Sequence, residues 1–312
     1  MKAMRDAFLE RLYEIARGDR NVVFVSNDFG APALDRFRLE LPQQFVHIGI
    51  AEANLINVGA GLAMAGKNVY VYSISPFVPM RCFEQMKMHM GFRKLQINAV
   101  VVGAGFSYDK SGPTHHSLED VATVGSIPGV ELWTPSDSAL ASALADHSCR
   151  PGPKYIRFDR EKLPALYPAA PDLAPGFALH GTPADLLIVS TGTMVHEALR
   201  IAESLRPLEA GVLDLFRVKP LNVAGLLEVL KSSKRIATLE EHYIHGGIGS
   251  VLSGLLDDQG LALPMKRFGA QDQYYFEYGG REALRKLAGL DVESVTARIR
   301  SWVGAAGGKI PR

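Results

Sequence analysis

The sequence predicts an α/β protein built from two doubly wound, three-layer αβα domains. Short β-branched runs of strand length alternate with longer stretches at helical spacing, the order in which a mostly parallel sheet is assembled. Several of those runs are apolar throughout, as strands covered on both faces are. A chain of 312 residues also exceeds what one ordinary core accommodates, so two domains are expected.

Met4, Phe8, Leu12 and Ile15 recur at helical spacing, which predicts a helix over 2–17 ending at Gly18. Val22-Val23-Phe24-Val25 is a buried strand feeding the loop Ser26-Asn27-Asp28-Phe29-Gly30. A strand over 45–48, a turn at Gly49 and a helix opening on Glu52 come next. Ala53, Gly59, Ala60, Gly61 and Ala63 would let another backbone approach that helix closely. Strands follow at 69–72 and 96–102, separated by a loop around Phe77 and a helix over 81–90. The Gly103-Ala104-Gly105 loop leads to Ser111-Gly112-Pro113-Thr114-His115-His116, and Ser117 is placed to cap a helix with Asp120 three residues on. Strands at 130–133 and 155–158 bracket a helix over 136–147. The chain then turns rich in Pro and Ala with no clean period. The first domain is therefore set at 1–165, a linker at 166–184 and the second domain at 185–312. In the second, strands are expected near 186–190, 210–215 and 235–240, helices near 193–205, 223–231 and 247–258, and a helix or two toward the end.

Composition narrows the function classes. A hydrophobic content of 47% with 21% charged residues is ordinary for a soluble globular protein. A net charge of +1 gives no reason to expect nucleic acid or an anionic membrane as partner. No apolar run approaches a membrane span, and the amphipathic, charged start MKAMRDAFLERLYEIA is not a signal peptide. Cys82 and Cys149 have no metal or redox spacing and read as reduced thiols. A cytoplasmic location is the expectation.

A parallel sheet places ligands at the carboxyl ends of its strands. Three loops are expected there: the start of the Glu52 helix, 77–81 and 112–116. Glu52 reads either as a first-turn carboxylate favoured by the helix dipole or as a buried acid that donates a proton to a ligand nitrogen; its residues alone do not choose. Phe77 is a core aromatic or a stacking face. His115 and His116 are adjacent in a Gly/Pro loop, but neighbouring histidines point apart and no third metal ligand stands at a telling spacing, so no metal site is assigned to this chain. Met80, Met86, Met88 and Met90 suit a core or a subunit interface. Gly246-Gly247-Ile248-Gly249-Ser250 opens a helix and reads as close packing rather than an anion site. Arg157 and Arg160 are candidates for bidentate phosphate binding.

Taken together, GIAEANLINVGAGLAMAG, SPFVPMRCFEQM, SGPTHHSLEDVA with the following IPGVELWTPSD, and LEEHYIHGGIGS resemble the transketolase family of thiamine-diphosphate enzymes, in its pyrimidine-binding and C-terminal domains. The resemblance spans essentially the whole chain in order and spacing. It implies that Glu52 hydrogen-bonds the ring nitrogen of the cofactor's aminopyrimidine, promoting the proton shift that makes the thiazolium carbon a nucleophile. It implies that Phe77 stacks on that pyrimidine, with Arg81 in the same segment and Asp28 beside the thiazolium as further cofactor-binding residues. His115 matches the histidine that contacts the donor sugar's hydroxyls, with His116 next to it, and Arg160 matches an arginine that binds the acceptor's phosphate.

The departures are equally specific. The chain carries no GDG…N-type metal motif, so it looks like the second half of a split transketolase. Mg²⁺ and the diphosphate would then be held by a separate N-terminal subunit, in a heterotetramer with two copies of each chain. Ser111 stands where the family's sugar-phosphate enzymes have an acceptor-reading Asp, and Gly103 where they have a phosphate-contacting His. Both point away from a standard pentose phosphate and toward a specialised ketol transfer. The resemblance leaves two other main readings, the β subunit of a 2-oxoacid dehydrogenase decarboxylase component, with the same domain pair, and a non-catalytic assembly subunit; a 1-deoxyxylulose-5-phosphate synthase, which is a single long chain, is a weaker one. The His-His after Gly-Pro-Thr and the RCFEQM segment favour transketolase over the first. Retention of Glu52 with His115 speaks against the second.

Overall fold

The structure, a computed structural model, describes residues 2–27 and 32–307. Strands β1 (Val22–Ser26), β2 (Phe45–His47), β3 (Asn68–Ile74), β4 (Ile97–Val102), β5 (Glu131–Trp133) and β6 (Lys154–Phe158) come from the first half of the chain. The second half supplies β7 (Ala178–His180), β8 (Leu186–Ser190), β9 (Ala210–Asp214), β10 (Arg217–Lys219), β11 (Ile236–Tyr243) and β12 (Met265–Ala270). Among the described residues these form two sheets, in the orders β10-β5-β6-β4-β3-β1-β2 and β12-β11-β8-β9-β7. All pairings are parallel except β10 with β5 and β7 with β9.

The strand period of two sorts the first sheet's side chains onto opposite faces. Val69 and Val71 pack with Leu55, Ile56 and Ala60 of the helix Glu52–Met64. Tyr70 and Tyr72 pack on the other face with Phe8 and Leu12 of the helix Met4–Gly18 and Leu140 and Leu144 of the helix Ser138–Ser148. The first of these clusters continues into the second half through Leu187, Val189, Leu213, Leu226 and Ile248. The two halves are thus joined by a common core and by β10, which crosses from one half to the edge of the other's sheet.

Several elements depart from the expectations above. The stretch 166–184 is not a bare linker. It contains β7, and Asp137 Oδ2 accepts the amides of Leu166 and Tyr167 at 2.9 and 3.0 Å. Three-residue edge strands such as β7 and β10 are too short to show a period, and β12 carries no distinguishing pattern. The expected single helix over 81–90 is two short turns, Val78–Arg81 and Phe83–Met86, running into a π-helical turn at Lys87–Phe92. Ser117 caps nothing: the helix begins at Asp120, and the Ser117 hydroxyl is buried against that of Ser75 at 2.8 Å. Met86 and Met90 are core, whereas Met80 and Met88 are exposed. Of the small residues expected to allow close approach in the Glu52 helix, Gly59 and Ala60 are the buried ones. A Cβ at Gly59 would stand 3.0 Å from Val71 Cγ1, while Gly61 faces open space.

Candidate active site at the carboxyl edge of the first sheet

Glu52 is the first residue of its helix, two positions after the Ile50 that follows the Gly49 turn. Its side chain is 5% exposed overall and accepts a hydrogen bond from Arg81 Nη1 at 3.0 Å. The Arg81 guanidinium also lies 3.9 Å from the centroid of the Phe77 ring. Phe77 is half-buried at the end of the β3 loop, and its ring meets that of His115 at 5.2 Å, tilted by 69°. His115 closes the short turn Pro113–His115, and its Nδ1 lies 3.0 Å from Thr114 Oγ1. Beyond it stands Tyr108, 6.1 Å between ring centroids, and then the Arg160 guanidinium, 4.3 Å from the Tyr108 ring. One continuous row of Glu52, Arg81, Phe77, His115, Tyr108 and Arg160 therefore runs along the sheet edge. Tyr108 belongs to no motif and is placed only by the turn of the 103–111 loop, so no sequence signal marks it.

Other expected site residues lie elsewhere. His116 points away from the row: its ring packs edge-on against Phe106 at 5.1 Å inside the protein, and burial holds its imidazole below the usual histidine range, hence neutral. That corrects its expected place at the substrate. Ser111 sits in a turn with its amide donating to the Tyr108 carbonyl at 3.0 Å and its side chain exposed. Asp28 lies outside the described residues. Arg157 is buried and ion-paired with Asp120 at 2.7 Å, which removes it as a phosphate ligand. No group of three or more His, Cys, Asp or Glu side chains suited to a metal ion occurs among the described residues.

The LEEHYIHGGIGS segment turns out to brace the site. Glu240 turns its carboxylate onto the first turn of the helix Ile248–Asp258 and accepts the amides of Ile248 and Gly249 at 2.7 and 2.9 Å. The helix end is thus occupied by the chain's own acid. Burial pushes Glu240 up to about 7 against those two amides. Glu241 accepts the Phe106 amide at 2.9 Å and pairs with Arg281 and Arg285. Although burial opposes its ionisation, the two guanidiniums hold Glu241 below the ordinary carboxylate range. Gly105, at φ +60°, presses against Glu241, where a Cβ would stand 2.1 Å from Oε2. The second domain thereby grips the loop that carries Tyr108. The segment is conspicuous in the sequence but its role is not, since both partner arginines lie about forty residues away in the chain.

The row suits a planar, cationic heteroaromatic group. Glu52 offers a buried carboxylate acceptor, and Phe77 an aromatic face that already carries a planar guanidinium. The residues present therefore fit the aminopyrimidine of thiamine diphosphate. Family models match at residues 1–165, described as transketolase, pyrimidine binding domain, and at residues 179–295, described as transketolase, C-terminal domain. The chain is 33% identical to one of the subunits of the apulose-4-phosphate transketolase of Phocaeicola vulgatus, over 97% of this chain and 98% of that protein. It is 31% identical to the 6-deoxy-6-sulfo-D-fructose transketolase subunit SqwH of a Clostridium species, over 94% and 92%. Its fold is similar to that of a split-gene transketolase, solved as an inactive β4 tetramer, with a TM-score of 0.87 at 27% identity, covering 96% and 98% of the two chains. On these matches and on the row of side chains that the first sheet presents, this chain belongs to the transketolase family.

Proposed function

We propose that this chain is the pyrimidine-binding subunit of a two-component transketolase, which moves a two-carbon ketol unit from a ketose donor to an aldehyde acceptor. The observation that carries it is the order of the row: an acid, an aromatic face, an imidazole and a cation lie in sequence along one sheet edge. When bound, thiamine diphosphate supplies a carbon nucleophile and an electron sink for breaking the carbon–carbon bond. Glu52 holds the proton at the pyrimidine ring nitrogen. Phe77 orients the ring once Arg81 yields its face, and Arg81 then remains beside the Glu52 carboxylate. His115 stands where donor hydroxyls would lie and stabilises charge developing on their oxygens. Arg160, exposed at the far end of the row, takes the anionic tail of the substrate.

A partner subunit holding the diphosphate and Mg²⁺ completes the reading, in an assembly with two copies of each chain. Around Glu52 the surface is apolar: Ile50 is 84% exposed, Phe92 is 79% exposed, and Met80, Phe83 and Met88 are exposed with them. Such a patch beside a half-built site supports a docked protein chain. So does the split-gene relative, whose β chains assembled with themselves form an inactive tetramer. No helix among the described residues is long and apolar enough to cross a membrane.

The test is calorimetric binding of thiamine diphosphate with Mg²⁺, to this chain alone and to its mixture with a diphosphate-binding transketolase chain from the same source. Binding in the mixture alone is the expected result. Tight binding by the isolated chain would overturn the division of labour. Absence of binding in the mixture would leave a non-catalytic assembly role.

A further inference from the structure

One network from the second half of the chain fixes the two backbones on which Tyr108 and Arg160 stand. Arg281 pairs with the residues on either side of Arg160, Asp159 at 2.7 Å and Glu161 at 3.1 Å. The same guanidinium pairs with Glu241 at 2.7 Å, and Glu241 accepts the Phe106 amide at 2.9 Å, two residues before Tyr108. That network does not reach the Arg160 side chain, which is exposed and has no carboxylate within 4.0 Å among the described residues.

Two contacts hold the side chain instead. Its Nη2 donates to the Ser107 carbonyl at 3.2 Å, and its guanidinium carbon lies 4.3 Å from the centroid of the Tyr108 ring. A guanidinium has a fork of N–H donors and the carbonyl engages one arm of it, so the aromatic face is the surface that fixes the plane of the group. The ring is itself seated. A Cβ at Gly103 would stand 2.1 Å from its Cε2 and 2.5 Å from its Cδ2, and the φ of +106° at Gly103 disfavours any other residue there. The lack of a side chain at 103 makes the seat, the ring fills it, and Arg160 lies against the ring. His115 is farther off, 6.1 Å between ring centroids.

Resting on the transketolase-type reading above, we propose that Tyr108 is a positioning residue that acts through Arg160. Seated on Gly103, its ring holds the guanidinium at the end of the row, ready for the anionic tail of the substrate. Ordering a long side chain beforehand removes a loss of freedom that binding would otherwise have to offset.

The experiment compares the unsubstituted protein with Tyr108→Phe, Tyr108→Ala, Arg160→Ala and the Tyr108→Ala/Arg160→Ala pair, by two readouts. In the first, the full chain carrying ¹⁵N-arginine reports the order of the Arg160 Nε–Hε bond, its signal identified by its loss in Arg160→Ala. The order parameter should exceed about 0.6 in the unsubstituted chain and in Tyr108→Phe, and fall below that in Tyr108→Ala. In the second, the complex reconstituted with its diphosphate-binding partner is assayed with glyceraldehyde 3-phosphate and with glyceraldehyde, acceptors that differ only in the phosphate. Tyr108→Ala should raise KM for the phosphorylated acceptor about threefold or more, with kcat and the KM for glyceraldehyde changing by less than about twofold. Tyr108→Phe, which keeps the aromatic face, should restore that KM to within about twofold. Added to Arg160→Ala, Tyr108→Ala should change KM by less than about twofold, since the ring acts through the guanidinium. An order parameter or a phosphorylated-acceptor KM that Tyr108→Ala leaves unchanged, a KM rise shared by glyceraldehyde, or a full further rise in the double variant would overturn the proposal. A reconstituted complex that transfers no ketol unit to either acceptor refutes the reading above, and the first readout then still decides whether Tyr108 holds Arg160.

Discussion

Replacing Glu52 by Gln separates a proton-relay role from a helix-start role. The substitution keeps the side chain's shape and a carbonyl oxygen that still accepts from Arg81. What is lost for stability is small on both counts. Arg81 is half exposed, with a side-chain exposure of 50%, so the ion pair contributes about 0–1 kcal/mol. The first-turn charge contributes about 0.3–1 kcal/mol more. Together these lower Tm by no more than about 5 °C for a chain of this size. The chemical step should suffer far more. A positioned acid contributes about 10²–10⁴ in rate, or roughly 3–5 kcal/mol of barrier, and glutamine cannot carry the proton. The assay is ketol transfer by the complex reconstituted with its diphosphate-binding partner, alongside thermal unfolding of the same preparations. The expected outcome is a fall in turnover of two orders of magnitude or more, about what removing a general acid costs, with Tm nearly held. Turnover unchanged, or a Tm loss beyond about 10 °C with activity following the folded fraction, would refute the reasoning.

The remaining predictions rest on neighbouring parts of the structure. His115→Ala should impair donor use about tenfold or more while thiamine-diphosphate affinity changes by less than about twofold; calorimetry that shows lost cofactor binding would displace His115 from its assigned position. Glu241→Gln strips Arg281 and Arg285 of their shared buried carboxylate and should cost about 3–5 kcal/mol in urea unfolding, and a loss below about 1 kcal/mol would remove its bracing role. The Asp214 carboxyl, pushed up to about 7 by burial while Ser136 and Tyr167 donate to it, holds a proton in the folded state that it releases near pH 4 when unfolded. Its contribution must therefore fall as pH rises from about 4 to 7, and Glu240 acts in the same direction. Asp214→Asn should flatten the decline in Tm between about pH 5 and 8; a decline as steep as in the unsubstituted chain would show that Asp214 is not its source.

Much of the first sheet was legible because strand and helix periods are local. Tyr70 and Tyr72 alternate with Val69 and Val71, and that alternation alone announces a strand packed on both sides. Glu52 was legible for a related reason: a solitary acid at the start of an apolar helix after a strand is conspicuous in one dimension. The 81–90 helix was less so, since it is interrupted at Cys82 and passes into the π-helical turn Lys87–Phe92, changes of backbone hydrogen bonding that no side-chain period records. His116 was misplaced because two adjacent residues in a turn diverge, and only the position of Phe106 decides which one turns inward.

By itself, the sequence determined the α/β class, the parallel order of elements, and the residues from which an acid, an aromatic face, an imidazole and an arginine are drawn. Each depends on near-neighbour spacing. The tertiary structure decided which of them stand together. It joined the halves through β10, and it turned Glu240, Glu241 and Arg157 from candidate ligands or unassigned charges into buried supports. It also seated Tyr108 between His115 and Arg160. Those outcomes arise from contacts between residues distant in the chain, whose energies come from desolvation and charge pairing and leave no periodic trace in the sequence.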